Sequence, residues 1–149
     1  MKKTFTKILI VLGIGAVLLG AVAWYNQSKL QVGSKAIRIV LMVDETTGSK
    51  TILDKTVRTD ALTLGELLDQ MQTKKQLTLE LKGNKSDPLG RYIVGINEYV
   101  TVDAAKGPWW LYNSITNKDC VSAKYCAGID TAPIYDQDLF TFTFTSSFN

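Results

Sequence analysis

The chain contains no histidine. That absence removes the usual general base, the Ser-His and Cys-His pairs of nucleophilic catalysis, and the commonest transition-metal ligand. Cysteine is scarce as well: Cys120 and Cys126 are the only two, and two thiols without an imidazole cannot complete the four ligands of a structural zinc. A basic excess is missing once charge is divided by position. The net charge of +3 comes from Lys2, Lys3 and Lys7, and beyond them 14 basic side chains stand against 14 acidic ones. A domain so balanced offers no electrostatic footprint for nucleic acid. No Ser or Thr occupies a nucleophile motif with a base to activate it. Asp130, Asp136 and Asp138 could be imagined as paired carboxylates or as oxygen ligands for a hard cation, but acids in a turn before a strand read first as turn formers. The expectation is a protein that is not an enzyme and has no catalytic residue, no metal site and no cofactor.

The composition is otherwise that of a folding chain. With 149 residues, 46% of them hydrophobic and 21% charged, there is room for one domain with its own core behind an N-terminal segment. Met1 to Lys7 is short and basic, and Ile8 to Tyr25 carries no charge. This is the layout of a signal peptide or an N-terminal membrane anchor over residues 1–25. Ala21-Val22-Ala23 offers a cleavage site, whereas the length of the apolar run and an interfacial Trp24-Tyr25 suit a retained anchor helix. Either way the remainder is expected at the extracytoplasmic face of the cell membrane or secreted, with residues 26–36 as a tether and residues 37–149 as the domain. In that compartment Cys120 and Cys126 are expected to form a disulfide.

Within the domain, Ile37 to Val43 is β-branched and apolar and reads as a strand, and Thr51 to Val57 as a weaker one, paired as a hairpin across a moderately long loop from Asp44 to Lys50. Thr63-Leu64-Gly65-Glu66 is a capping box, a hydroxyl and a carboxylate three residues apart that satisfy free backbone donors. Leu64, Leu67, Leu68 and Met71 follow it at helical spacing, as a stripe that should cover a sheet. Leu77 to Leu81 alternates as a strand, Lys82 to Gly90 is a polar loop, and Arg91 to Val102 gives two short apolar runs about a bend at Gly95 to Glu98. Leu139 to Thr145 alternates strictly, with phenylalanines on one side and threonines on the other, as in a strand with one buried face and one wet face. These elements predict an α+β fold, a β-grasp-like mixed sheet packed on one helix.

The densest feature is Trp109-Trp110-Leu111-Tyr112-Asn113, introduced by the breaker Gly107-Pro108. Large side chains alternating along a strand fill both faces: one can enter a core, and the other leaves aromatic area where a ligand or partner could stack.

Taken in order, Thr63-Leu64-Gly65-Glu66-Leu67-Leu68, Tyr92-Ile93-Val94-Gly95-Ile96-Asn97, Trp109 to Asn113 and Gly128-Ile129-Asp130 resemble a family of exported bacterial domains similar to the C-terminal domain of transcobalamin and intrinsic factor. The likeness spans roughly residues 37–145. It departs at Glu98, where the family pattern has Gly, and at Cys120 to Cys126, which is an addition. The resemblance implies a β-grasp-like fold and a non-enzymatic binding module, with a corrinoid or another small molecule as ligand. Trp109, Trp110, Tyr112, Tyr92 and Tyr99 would then be stacking residues and Asn113 a hydrogen-bonding group. A cell-surface module that binds a protein or a wall polymer through the same aromatic block is the alternative.

Overall fold

The computed structural model describes residues 33–147. The signal or anchor expected over residues 1–25, and most of the tether, lie outside the described residues. Strand β1 (Lys35–Glu45) starts two residues before the apolar run and pairs antiparallel with β2 (Gly48–Thr59). The loop between them is not the long one the sequence suggests. Glu45 pairs directly with Gly48, so the turn is only Thr46-Thr47, and the Ser49 hydroxyl bonds the Asp44 carboxylate across the ladder. Gly48, with φ of 127°, takes a backbone conformation that side chains resist.

Helix α1 (Leu64–Thr73) follows. Thr63 Oγ1 accepts from the Glu66 amide at 3.3 Å, and Glu66 Oε2 accepts from the Leu62 amide at 2.7 Å. The capping box therefore operates one residue wider than its simplest form. Thr63→Ala is expected to destabilise the fold by about 1 kcal/mol, measured by urea unfolding, because it leaves the Glu66 amide without its partner.

Strands β3 (Leu79–Lys82), β4 (Tyr92–Ile96) and β5 (Tyr99–Val100) form a small antiparallel sheet. Strand β6 (Trp109–Asn113), a short helix α2 (Lys118–Ala123) and β7 (Leu139–Thr145) complete the chain. The main sheet has the order β2-β1-β7-β6, with β1 and β7 parallel and the outer pairs antiparallel. The α+β architecture with a mixed sheet and one principal helix is thus present, divided into two sheets.

Register explains the core. Ile39, Leu41 and Val43 on β1 stand opposite Phe140, Phe142 and Phe144 on β7, and Trp110 and Tyr112 on β6 stand opposite Phe144 and Phe142. All of these side chains therefore point to one face, where Leu64, Leu67, Leu68 and Met71 of α1 join them in one cluster. The helix stripe and the phenylalanine alternation belong to a single hydrophobic core.

Charges close the far side of that core. Asp130, with a side chain 7% exposed, accepts from the Arg91 backbone amide at 2.8 Å and from Arg91 Nη2 at 2.6 Å. The same guanidinium reaches Asp69 on α1 at 2.9 Å, and Lys85 reaches Asp69 at 2.5 Å. Gly65 fits beneath this cluster because a Cβ there would stand 2.3 Å from Asp130 Oδ1. The cluster ties the start of α1, the start of β4 and the segment at Gly128 to Asp130 into one corner.

Candidate functional site

Strand β6 is a terminal strand of the main sheet, so one of its edges is free of a neighbouring strand. Its alternation sends the expected site residues in different directions. Trp110 is buried: its ring lies 5.2 Å from that of Phe144, and its Nε1 donates to the Tyr99 carbonyl at 2.9 Å. Tyr112 stacks on Phe142 at 5.3 Å, and its hydroxyl donates to the Ala127 carbonyl. Burial, followed by the negative charge of Asp130, pushes the Tyr112 hydroxyl well above its ordinary pKa, so it remains a neutral donor. Tyr99 leans on Phe144 with ring centroids 5.9 Å apart. The alternating strand carries Trp110 and Tyr112 toward the core, yet both still line one groove with Trp109 and Tyr92, a groove whose lining does not include Tyr99.

Trp109, Leu111 and Asn113 take the opposite side, in register with Thr145, Thr143 and Thr141. Trp109 is half-buried. Its Nε1 donates to the Ala104 carbonyl at 2.9 Å, and a Cβ on Gly107 would meet its ring at 2.7 Å, so the turn before β6 folds onto the indole. The Gly107-Pro108 bond in that turn is cis. Tyr92 projects outward and is 57% exposed.

Along the free edge of β6 lies a groove of about 290 Å³, between β4 and the segment at Gly128. Leu89, Tyr92 and Ile93 line it from β4 and the loop before it, Trp109 to Tyr112 from β6, and Gly128 and Ile129 from the segment after the disulfide loop. The sequence marks Tyr92 and Trp109, but Leu89, Ile93, Leu111 and Ile129 are not evident as site residues. Leu89, 81% exposed in the loop before β4, is a large apolar side chain in a polar loop, and that mismatch is the signal available.

The carboxylates considered for catalysis or cation binding are committed elsewhere. Asp130 holds Arg91, and Asp136 accepts from the Ala36 amide at 2.7 Å. Asp138, buried, accepts from Asn117 Nδ2 at 2.6 Å and from the Tyr135 amide at 2.8 Å. Asp130 fixes a neighbouring side chain, Asp138 closes a backbone turn, and Asp136 ties its own turn to the start of β1. The expected disulfide is present, joining Cys120 at the core to Cys126 and closing a loop that contains most of α2.

The geometry defines an α+β domain of β-grasp-like topology, with an aromatic groove along a terminal strand and a disulfide-closed loop beside it. No protein-family model and no curated protein matches the chain. Among solved structures it is similar to a protein of Ruminococcus gnavus, provisionally described as a metal binding protein, with 20% identity and a TM-score of 0.52. The match covers 77% of this chain and 100% of that one. At this identity the likeness is one of fold.

Proposed function

We propose that the domain is a non-catalytic binding module, exported and held at the membrane by its N-terminal segment, that takes a flat, partly apolar small molecule in the groove along β6. The observation that carries this reading is that an outward Tyr92 and the loop-pinned Trp109 line one largely apolar groove. Aromatic walls of this kind favour stacking at little cost in ordering, because both are two-torsion side chains and one is already fixed. A corrinoid is the ligand suggested by the transcobalamin-like resemblance, and a groove of about 290 Å³ would enclose only part of it. The disulfide supports an oxidising compartment. The metal binding named for the R. gnavus protein is not carried over, since among the described residues no group of three or more His, Cys, Asp or Glu could hold an ion.

A surface-interaction role is the second reading. It is favoured by Ile115, Val121 and Tyr125, which are 79%, 55% and 71% exposed around the disulfide loop.

The test is a titration of the full chain, in detergent, with cobinamide and with cobalamin, following tryptophan emission corrected for absorption by the corrinoid. Saturable quenching is expected, and Tyr92→Ala, which removes an exposed side chain, should weaken it about tenfold. A flat corrected titration would remove the corrinoid as ligand and leave the surface-interaction reading in its place.

A further inference from the structure

Strand β6 also borders a second concavity, which shares Trp110, Leu111 and Tyr112 with the edge groove but is otherwise lined by different residues. Across the open face of the main sheet, opposite the core, lies a trough of about 650 Å³. Thr141, Thr143 and Thr145 of β7 run along it, Leu111 and Asn113 flank them from β6, and Asp44 of β1 also lines it. The rim is formed by Lys124 and Tyr125 of the disulfide-closed loop. Two-residue spacing along a strand sets successive threonine hydroxyls about 7 Å apart, so the row extends roughly 13 Å.

The chemistry of this lining is specific. The hydroxyls of Thr141 and Thr143, the amide of Asn113 and the hydroxyl of Tyr125 make no side-chain hydrogen bond among the described residues. They are donors and acceptors available to a ligand. The lining holds one acid, Asp44, and one base, Lys124, so it favours neither a polyanion nor a polycation. Tyr125 is 71% exposed, yet it is not loosely placed: the Cys120–Cys126 bond closes its loop, and Lys124 before it holds a left-handed turn with φ of 67°. An aromatic ring on a disulfide-closed loop beside a row of neutral hydroxyls suits a molecule with an apolar C–H face and a hydroxyl-bearing edge. An extended peptide suits it less, because a sheet face presents no unpaired backbone groups for strand addition.

We infer that the trough binds a neutral glycan, a short run of pyranose units lying along β7 with one ring stacked on Tyr125 and its hydroxyls bonded to Thr141, Thr143 and Asn113. The preformed loop lowers the ordering cost of that stack, and shallow multi-unit contact makes affinity depend on the ring more than on any one hydroxyl.

Isotopically labelled full chain in detergent, titrated with cellotetraose, maltotetraose and N-acetylchitotetraose, tests this by chemical-shift changes. At least one of the three is expected to give saturable shifts centred on Asn113, Tyr125, Thr141 and Thr143. Tyr125→Ala should weaken that binding about tenfold, Tyr125→Phe should retain most of it, and Thr143→Val should cost a few-fold. Tyr125 is exposed and Thr143 partly so, and retention of the fold in each variant is verified by the unchanged remainder of the spectrum. Absence of saturable shifts with all three sugars overturns the proposal, as does unchanged affinity in Tyr125→Ala. Shifts centred instead on Tyr92 and Trp109 would also overturn it, by assigning the sugar to the edge groove. Corrinoid binding at that groove can succeed or fail without affecting this result.

Discussion

Phe142→Ala is expected to destabilise the domain by about 4 kcal/mol and to lower its melting temperature by roughly 15 °C. Phe142 is fully buried, stands between Leu41 of β1 and Tyr112 of β6, and stacks on the Tyr112 ring. Removing the ring loses its transfer free energy and leaves a cavity at the centre of the sheet that neighbours on three strands cannot fill together. The effect should also reach the site. With its stacking partner gone, Tyr112 is free to turn from the Ala127 carbonyl, and the edge groove, which Tyr112 lines together with Gly128 and Ile129, loses one of its supports. Thermal unfolding followed by circular dichroism measures the first effect. Near-ultraviolet dichroism below the transition reads the second, since the Tyr112 and Trp110 signals depend on their packing. A loss under 2 kcal/mol would mean that β6 repacks on β7, contrary to the fixed register described above.

Much of this arrangement is legible in the sequence, for identifiable reasons. The Phe-Thr alternation of Leu139 to Thr145 by itself assigns the two faces of β7, because strand side chains alternate without exception unless a bulge intervenes. The capping box and the stripe of α1 are equally local. What escapes is what depends on pairing. The Thr46-Thr47 turn looks like part of a longer loop because Asp44, Gly48 and Ser49 are turn-favouring residues, and only the cross-strand ladder converts them to strand. The division of Leu77 to Val102 from the main sheet is likewise a matter of which strands meet.

The aromatic block shows the same limit at the site. Its alternation is readable, but which parity faces the core is decided by registration with Phe142 and Phe144, so Trp110 and Tyr112 cannot be separated from Trp109 in advance. The trough face was within reach: the threonines of β7 are its floor, and the wet face assigned to them is the face on which Asn113 falls. Tyr125 was not, since its place at the rim follows from the path of the disulfide loop.

Asp130→Asn is expected to cost about 3 kcal/mol, because removing one partner of a largely buried ion pair leaves the other short of compensation. Arg91, with a side chain 15% exposed, would keep Asp69 but lose the charge-assisted, two-oxygen grip on position 130, and the Arg91 backbone amide would lose an ionised acceptor. The same interactions predict a pH dependence. The Arg91 side chain, against some opposition from burial, holds the Asp130 carboxyl below its ordinary range. Burial would raise that of Asp69, but Arg91 and Lys85 outweigh it and hold it low as well. A carboxyl more acidic in the folded chain binds fewer protons there than in the unfolded chain, so stability rises with pH. The contribution is complete above the ordinary carboxylate pKa of about 4 and is lost as pH falls through the lower folded values. Urea midpoints should therefore fall below about pH 4 in the native chain and fall less in Asp130→Asn, which has already lost one of the two linked protons. Arg91→Met should flatten the profile further, since Asp130 then loses its principal cation and Asp69 keeps only Lys85. An unchanged acid limb in both variants would show that this corner is held by packing and backbone bonds rather than by its charges.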